Sequence, residues 1–299
     1  MSLHRVPAVR HAHVDVGGIR VFYRESLPAD PVPGAPPLLL LHGFPSASHQ
    51  YRRLIDLLGD RYRMIAPDYP GFGQTGLPPR RADGGAFTFS FEALADVVEG
   101  FVDAIGLDRF ALYVFDFGAP VGMRLATRRP DAVAGLIVQN GNIYKEGLSE
   151  AARGFIALER ADEGAEAQIR GLLTLDGTRM QYETGTTDAD RLAPDGWTLD
   201  QAYLDRPGIV EAQIDLAFDY KSNLALYPDW QRWLRTHRPP LLVTWGRGDP
   251  FFPEPGAQAY RADAPEAEIH ILDGGHFLLE DNLNAVAGSL DRFMARLAR

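Results

Sequence analysis

Short, continuous apolar runs that alternate with helical patterns limit what this chain can fold into. The apolar runs are 38–41, 64–66, 110–115, 136–138, 241–245 and 269–272. The helical patterns are 51–58, 91–105, 121–127, 258–263 and 284–297. Apolar runs of this length are typical of parallel strands that are covered on both faces. The alternation therefore predicts an α/β fold with a mostly parallel, doubly wound sheet.

The amino-terminal part has a different pattern. Val14 and Val16 precede Gly17-Gly18, and alternating apolar residues resume at Ile19. Two glycines between alternating segments are typical of a tight hairpin turn. We expect an antiparallel hairpin at the start of the sheet.

The regular rhythm of strand and helix stops between residues 140 and 235, where no parallel-strand run occurs. A chain of 299 residues can form one large domain with an insertion or two ordinary domains. We predict a core domain of residues 1–139 and 236–299, and an inserted, mainly helical cap domain of residues 140–235.

Composition excludes several classes of function. The chain has 30 Lys and Arg against 40 Asp and Glu, a formal charge of −10, which argues against nucleic acid and anionic membranes as partners. It has no cysteine, so disulfides and thiolate chemistry are excluded. The first sixteen residues contain no apolar run of signal-peptide length, and no other stretch approaches the length of a membrane span. We expect a cytoplasmic protein, a monomer or homodimer, that acts on a small molecule.

A candidate nucleophile follows the run 110–115. The chain there reads Asp116-Phe117-Gly118 and continues into a helical pattern. A sharp turn between strand and helix is where some hydrolases present a reactive side chain, and small residues suit the tight turn. A carboxylate is nucleophilic at neutral pH without a base, but the ester that it forms needs an activated water. Asp116 is therefore the predicted nucleophile.

The partners of such a nucleophile follow later in the chain. His276 lies after the last strand, and Asp249 follows the strand before it, so the order is nucleophile, acid, histidine. After the run 38–41, the backbone N–H of Phe44, with that of Phe117, can stabilise an oxyanion. His42 belongs to the same predicted loop, and we expect a structural role for it.

These motifs together resemble the α/β-hydrolase superfamily, in its Asp-nucleophile branch of epoxide hydrolases and haloalkane dehalogenases. The matching motifs are His42-Gly-Phe-Pro45, Asp68-Tyr-Pro-Gly-Phe-Gly73, Asp116-Phe-Gly118 and Gly275-His276. The resemblance covers nearly the whole chain. It implies a hydrolase with an alkyl-enzyme ester intermediate, which needs no cofactor and no metal.

The resemblance favours the epoxide hydrolases. Their cap tyrosines hydrogen-bond to the epoxide oxygen, and Tyr220, in Phe218-Asp-Tyr-Lys-Ser-Asn223, is the best match. Tyr182 is predicted as the second donor from its position in the cap, with Tyr144 as its rival. The expected substrate is a small apolar epoxide.

Two alternatives stay open. Dehalogenases share a valine at Val114, but they place a tryptophan after the nucleophile, where this chain has Phe117, a side chain with no N–H donor. Tryptophans of the cap, Trp197, Trp230 and Trp233, could replace that donor. The second alternative is a non-catalytic, ligand-binding member of the fold.

Overall fold

A computed structural model describes residues 6–299, and it contains one eight-stranded sheet flanked by helices. The strands are β1 (Ala8–Val16), β2 (Ile19–Leu27), β3 (Leu38–Leu41), β4 (Met64–Pro67), β5 (Phe110–Phe115), β6 (Val133–Gln139), β7 (Leu241–Gly246) and β8 (Glu268–Leu272). The helices of the core are α1 (Arg52–Leu58), α2 (Phe91–Ala104), α3 (Gly118–Arg128), α10 (Pro255–Asp263), α11 (Leu278–Asp281) and α12 (Leu283–Leu297).

The strand order is β1-β2-β4-β3-β5-β6-β7-β8. Strands β1, β2 and β4 pair antiparallel, and β4, β3 and β5 to β8 pair parallel. The predicted mostly parallel sheet is therefore confirmed. The predicted hairpin is also present, since Val16 pairs with Ile19 across Gly17 and Gly18, which both have positive φ.

The sheet contains a crevice where the direction of winding changes. From β3 the chain moves to β4 on one side, and it later returns to β5 on the other side of β3. The segments that leave the carboxyl ends of β3 and β5 therefore diverge, and open α/β sheets bind ligands at such a point.

Only helices and loops connect β6 to β7 in the described chain. The helices are α4 (Glu150–Ile156), α5 (Ala165–Leu172), α6 (Leu175–Glu183), α7 (Asp195–Leu204), α8 (Ile209–Asp219) and α9 (Lys221–His237). Three of them share an apolar cluster that includes Ile169, Leu204 and Ile214. The division into core and cap domains at residues 140 and 235 stays a prediction, and α9 continues two residues past the second boundary.

Between residues 6 and 299, no helix has both the length and the apolarity needed to cross a lipid bilayer.

Candidate active site

Asp116 occupies a sharp turn between β5 and α3. Its φ is +49°, in the left-handed region that non-glycine residues seldom adopt. Close packing holds the turn, since a Cβ on Gly43 would lie 2.4 Å from the Cβ of Asp116, and one on Gly118 would lie 2.1 Å from the carbonyl oxygen of Leu41. Because these two residues are glycines, the loop that follows β3 and the start of α3 can both approach the Asp116 carboxylate.

Backbone amides hold the Asp116 carboxylate. The N–H of Phe44 donates to Oδ1 at 2.6 Å, and the N–H of Phe117 also donates to this carboxylate. Burial raises the pKa of Asp116 to about 6, and the charge of His276 and the two amides oppose that rise. Both predicted oxyanion donors therefore point at the carboxylate itself.

His276 lies between Asp116 and Asp249. Its Nδ1 is 2.7 Å from Oδ2 of Asp249, and its Nε2 is 3.8 Å from Oδ2 of Asp116. The ring is 1% exposed and packs against phenylalanine rings that include Phe115 and Phe251. Burial acts to lower the pKa of His276, but the hydrogen bond and charge of Asp249 and the charge of Asp116 produce a net rise.

The Asp249 carboxylate has donors on both oxygens. Oδ1 accepts from the backbone N–H groups of Phe251 and Phe252, and Oδ2 accepts from Nδ2 of Asn140 at 2.7 Å as well as from His276. Asn140 also accepts from the N–H of Gly246, so it ties the end of β6 to the end of β7. Because these bonds fix the Asp249 carboxylate, they also fix the orientation of the imidazole. Sequence reasoning missed Asn140.

A cavity of about 560 Å³ lies above Asp116, between the sheet and the helices that follow β6. Its wall includes Asp116, His276, Tyr220, Phe44 and Phe117. None of the tryptophans in the described chain lines it. The cavity therefore brings together most of the predicted site residues and excludes the predicted tryptophan alternatives from its wall.

Tyr220 lines the cavity, and a second tyrosine holds its side chain in place through a hydrogen bond. Its hydroxyl is hydrogen-bonded to that of Tyr227, which in turn lies 3.4 Å from Nδ2 of Asn142. Burial raises the pKa of Tyr220 well above its usual value, with further contributions from Tyr227 and the charge of Asp116. The phenol is therefore neutral at physiological pH and can donate a hydrogen bond.

Two other predicted tyrosines lie away from the cavity. The hydroxyl of Tyr182 donates to Asp200, and its ring stacks on Phe277 at 3.8 Å between centroids. The hydroxyl of Tyr144 donates to Asp263. Neither side chain lines the cavity, so the structure does not bring the predicted second tyrosine to Asp116.

His42 is fully buried beneath the β3 loop and does not line the cavity. Its Nε2 accepts from the backbone N–H of Tyr69, and its Nδ1 lies 3.2 Å from the carbonyl oxygen of Gly43. Burial lowers the pKa of His42 to about 3, so the ring is neutral. This side chain joins the loops after β3 and β4, and its structural role stays a prediction.

The pH dependence of the first chemical step follows from the carboxylate. Asp116 is the predicted nucleophile, and protonation would remove its charge, so we expect kcat/KM to be constant above the Asp116 pKa of about 6 and to fall with acid below it. The fall approaches about tenfold for each pH unit. Measuring kcat/KM from pH 4 to 9 on any substrate that is turned over checks this. A profile without an acid limb would contradict a carboxylate nucleophile with this pKa.

The chain matches the family model for the α/β hydrolase fold over residues 36–283. It is 38% identical, over 90% of this chain and 91% of the relative, to an uncharacterized hydrolase of Saccharomyces cerevisiae. It is 27% identical, over 92% and 88% of the two chains, to a haloalkane dehalogenase of Psychrobacter cryohalolentis.

Solved structures with the same fold include both enzyme types. A variant of the haloalkane dehalogenase DatA from Agrobacterium tumefaciens superposes with a TM-score of 0.77, at 22% identity and over 96% and 97% of the two chains. The epoxide hydrolase CorEH superposes with a TM-score of 0.76, at 19% identity and over 97% and 100%. On the family match, the sequence relatives and the shared architecture, this chain belongs to the α/β hydrolase fold family and is a hydrolase, similar to the members of the Asp-nucleophile branch.

Proposed function

We propose that this hydrolase opens epoxides to diols through an ester on Asp116. The observation that carries the proposal is that Tyr220 and Asp116 both line one mainly apolar cavity. A phenol can hydrogen-bond to the oxygen that leaves carbon when an epoxide ring opens. Phe117, where related dehalogenases place tryptophan, offers no such donor to a halide.

The attacking atom in this proposal is Oδ2 of Asp116. Oδ1 is held by the N–H of Phe44 at 2.6 Å, whereas Oδ2 faces Nε2 of His276 across 3.8 Å. Oδ2 forms a bond to an epoxide carbon while the bond from that carbon to the ring oxygen breaks. Tyr220 donates its proton to the ring oxygen, so an alkyl ester and a hydroxyl group result.

Hydrolysis of the ester then depends on His276. Alkylation removes the negative charge of Asp116, and with it one cause of the raised His276 pKa, so the neutral imidazole is favoured. His276 takes a proton from water, and the hydroxide attacks Cγ of Asp116. The N–H groups of Phe44 and Phe117 stabilise the oxyanion on Oδ1. Collapse expels an alkoxide that carries the original Oδ2, and the new carboxyl group of Asp116, which keeps the water oxygen, gives its proton to that alkoxide to complete the diol. His276 releases its proton to solvent while the Tyr220 phenolate takes one up, so both groups return to their starting states.

The Tyr220 hydroxyl has a role in the proposed epoxide opening, so its removal tests that reaction. We expect Tyr220→Phe to slow epoxide consumption by about 100-fold, as loss of a donor to a developing oxyanion does. Tyr227→Phe is the matched control, because it keeps the Tyr220 hydroxyl and should cost less than Tyr220→Phe. Single-turnover rates of epoxide consumption for the three proteins provide the measurement.

Haloalkanes provide the competing test. The wild-type protein is tested on short haloalkanes and on a matched panel of epoxides. If it releases halide but forms no diol from any epoxide, the epoxide proposal fails and the haloalkane dehalogenase alternative replaces it. If neither class reacts and no adduct forms on Asp116, the result favours the alternative of a ligand-binding member of the fold. We further propose a cytoplasmic protein, a monomer or homodimer, that acts on a small molecule and uses no cofactor.

A further inference from the structure

The part of the cavity wall that the cap helices build is apolar except for three glutamines and Tyr220. Gln168 comes from α5, Gln181 from α6 and Gln213 from α8. A glutamine in such a wall costs free energy unless its carboxamide is hydrogen-bonded. Gln168 is exposed and can be solvated, whereas the carboxamides of Gln181 and Gln213 are buried and need partners that the apolar neighbours do not supply.

The charges in the wall restrict that partner. Apart from Asp116 and His276, no charged side chain lines the cavity in the described chain. A carboxylate, phosphate or ammonium group on a ligand would lose its hydration and find no counter-ion among the cap residues. An uncharged group that can form hydrogen bonds meets no such penalty.

Gln213 is 2% exposed, and only one of the two polar atoms of its carboxamide is hydrogen-bonded. Nε2 donates to the carbonyl oxygen of Gly71 at 2.9 Å, which fixes the orientation of the amide because a carbonyl needs a donor. Oε1 is buried and has no hydrogen-bond partner in the described residues. Since buried polar atoms are usually paired, this acceptor lacks a donor, and its residue lines the cavity that a ligand would fill.

Gln181 is 3% exposed and is held even more weakly. Its Nε2 lies 3.4 Å from the carbonyl oxygen of Gly177 in the same helix, a long contact. The neighbouring Tyr182 is turned away to Asp200, so α6 presents a carboxamide to the cavity where sequence reasoning had expected a phenol. Gln181 can therefore both donate to and accept from a bound ligand at little cost.

We propose that the substrate of this enzyme is uncharged and carries a hydroxyl group in addition to the reacting group, and that Gln181 and Gln213 bind this hydroxyl. The proposal deepens the epoxide hydrolase proposal and rests on it for the identity of the reacting group. The sequence led us to expect a purely apolar substrate, and we now propose a substrate with an apolar chain that ends in a neutral polar group.

Three epoxides of equal chain length test the specificity. One ends in a methyl group, one in a hydroxyl and one in a carboxylate. We expect kcat/KM for the hydroxyl compound to exceed that for the methyl compound by about two- to tenfold, the value of one net hydrogen bond, and the carboxylate compound to be the poorest of the three.

The variants Gln181→Met and Gln213→Met test which residues carry the preference. Each should reduce the hydroxyl-to-methyl ratio of kcat/KM towards one. Met180→Leu, which changes an apolar neighbour in the same wall, is the matched control and should keep the wild-type ratio. Because Gln213→Met also removes the bond to Gly71, Gln181→Met decides the matter if the other variant does not fold. A wild-type ratio of one, or a ratio that Gln181→Met leaves intact, would overturn the proposal.

Binding of unreactive compounds separates this inference from the proposed reaction. Calorimetry on the wild-type protein compares an n-alkane with the primary alkanol of the same length, and the alkanol should bind more tightly. If no epoxide is consumed but the alkanol is preferred and Gln181→Met abolishes that preference, the reaction proposal fails while the glutamine site stands. If epoxides are hydrolysed but the hydroxyl gains nothing, the glutamine site fails alone.

Discussion

Replacing His276 with glutamine should stop the reaction after one round, with the substrate's mass retained on the peptide that contains Asp116. The carboxylate can still attack, because Oδ2 needs no base. Without the imidazole, no group near Cγ takes a proton from water, and Asp249 has no ring to orient. We expect kcat to fall by about 10⁴-fold, the upper range for loss of a general base, while formation of the ester persists.

Rapid quenching followed by mass spectrometry of the digested protein measures this. The adduct should reach one equivalent per chain in His276→Gln and stay below detection in the wild type. His270→Gln is a suitable control, since His270 lies on β8, does not line the cavity and has its ring hydrogen-bonded to Glu268. Wild-type turnover in His276→Gln would contradict the proposed role of the histidine.

Replacing Asp116 with alanine should have a larger effect, because it removes both the nucleophile and the atom on which the ester forms. We expect kcat/KM to fall by about 10⁶-fold, as in other hydrolases that lose the nucleophile. In contrast to His276→Gln, no adduct should form. The comparison of the two variants therefore separates the two halves of the reaction.

The control for this variant is Asp273→Ala. Asp273 follows β8 and its side chain is 77% exposed, with Arg247 as its partner. This substitution removes a carboxylate from a residue that does not line the cavity. We expect activity to stay within about twofold of wild type, as for most exposed positions. If Asp116→Ala still consumed substrate at a measurable fraction of the wild-type rate, another group would have to be the nucleophile.

Much of the sheet could be predicted from the sequence because buried parallel strands require continuous apolar runs. All six predicted runs are strands, and 38–41 and 110–115 have the predicted bounds. Helix starts were less accurate. Helix α3 begins at Gly118, three residues before the predicted pattern, because the turn at Asp116 packs the first turn of the helix against Leu41, a contact that periodicity does not encode.

The candidate site was predictable where chain order defines it and not where three-dimensional packing does. Asp116, His276 and Asp249 follow strand ends, so topology alone brings them to one edge of the sheet. Asn140 gave no signal, although it too directly follows a strand and has positive φ. The expectation for Tyr182 rested on position within the cap, and a helix turns neighbouring side chains by about 100°, so Gln181 lines the cavity instead.

The central claim is that Asp116 becomes covalently bonded to substrate carbon, and oxygen isotopes test it most directly. In a single turnover with excess enzyme in water enriched in ¹⁸O, the account predicts that the label enters the Asp116 carboxylate and that the diol carries the original Oδ2. The peptide containing Asp116 should gain one heavy oxygen. Label found only in the diol, with that peptide unchanged, would mean that water attacks the substrate directly and would contradict the account.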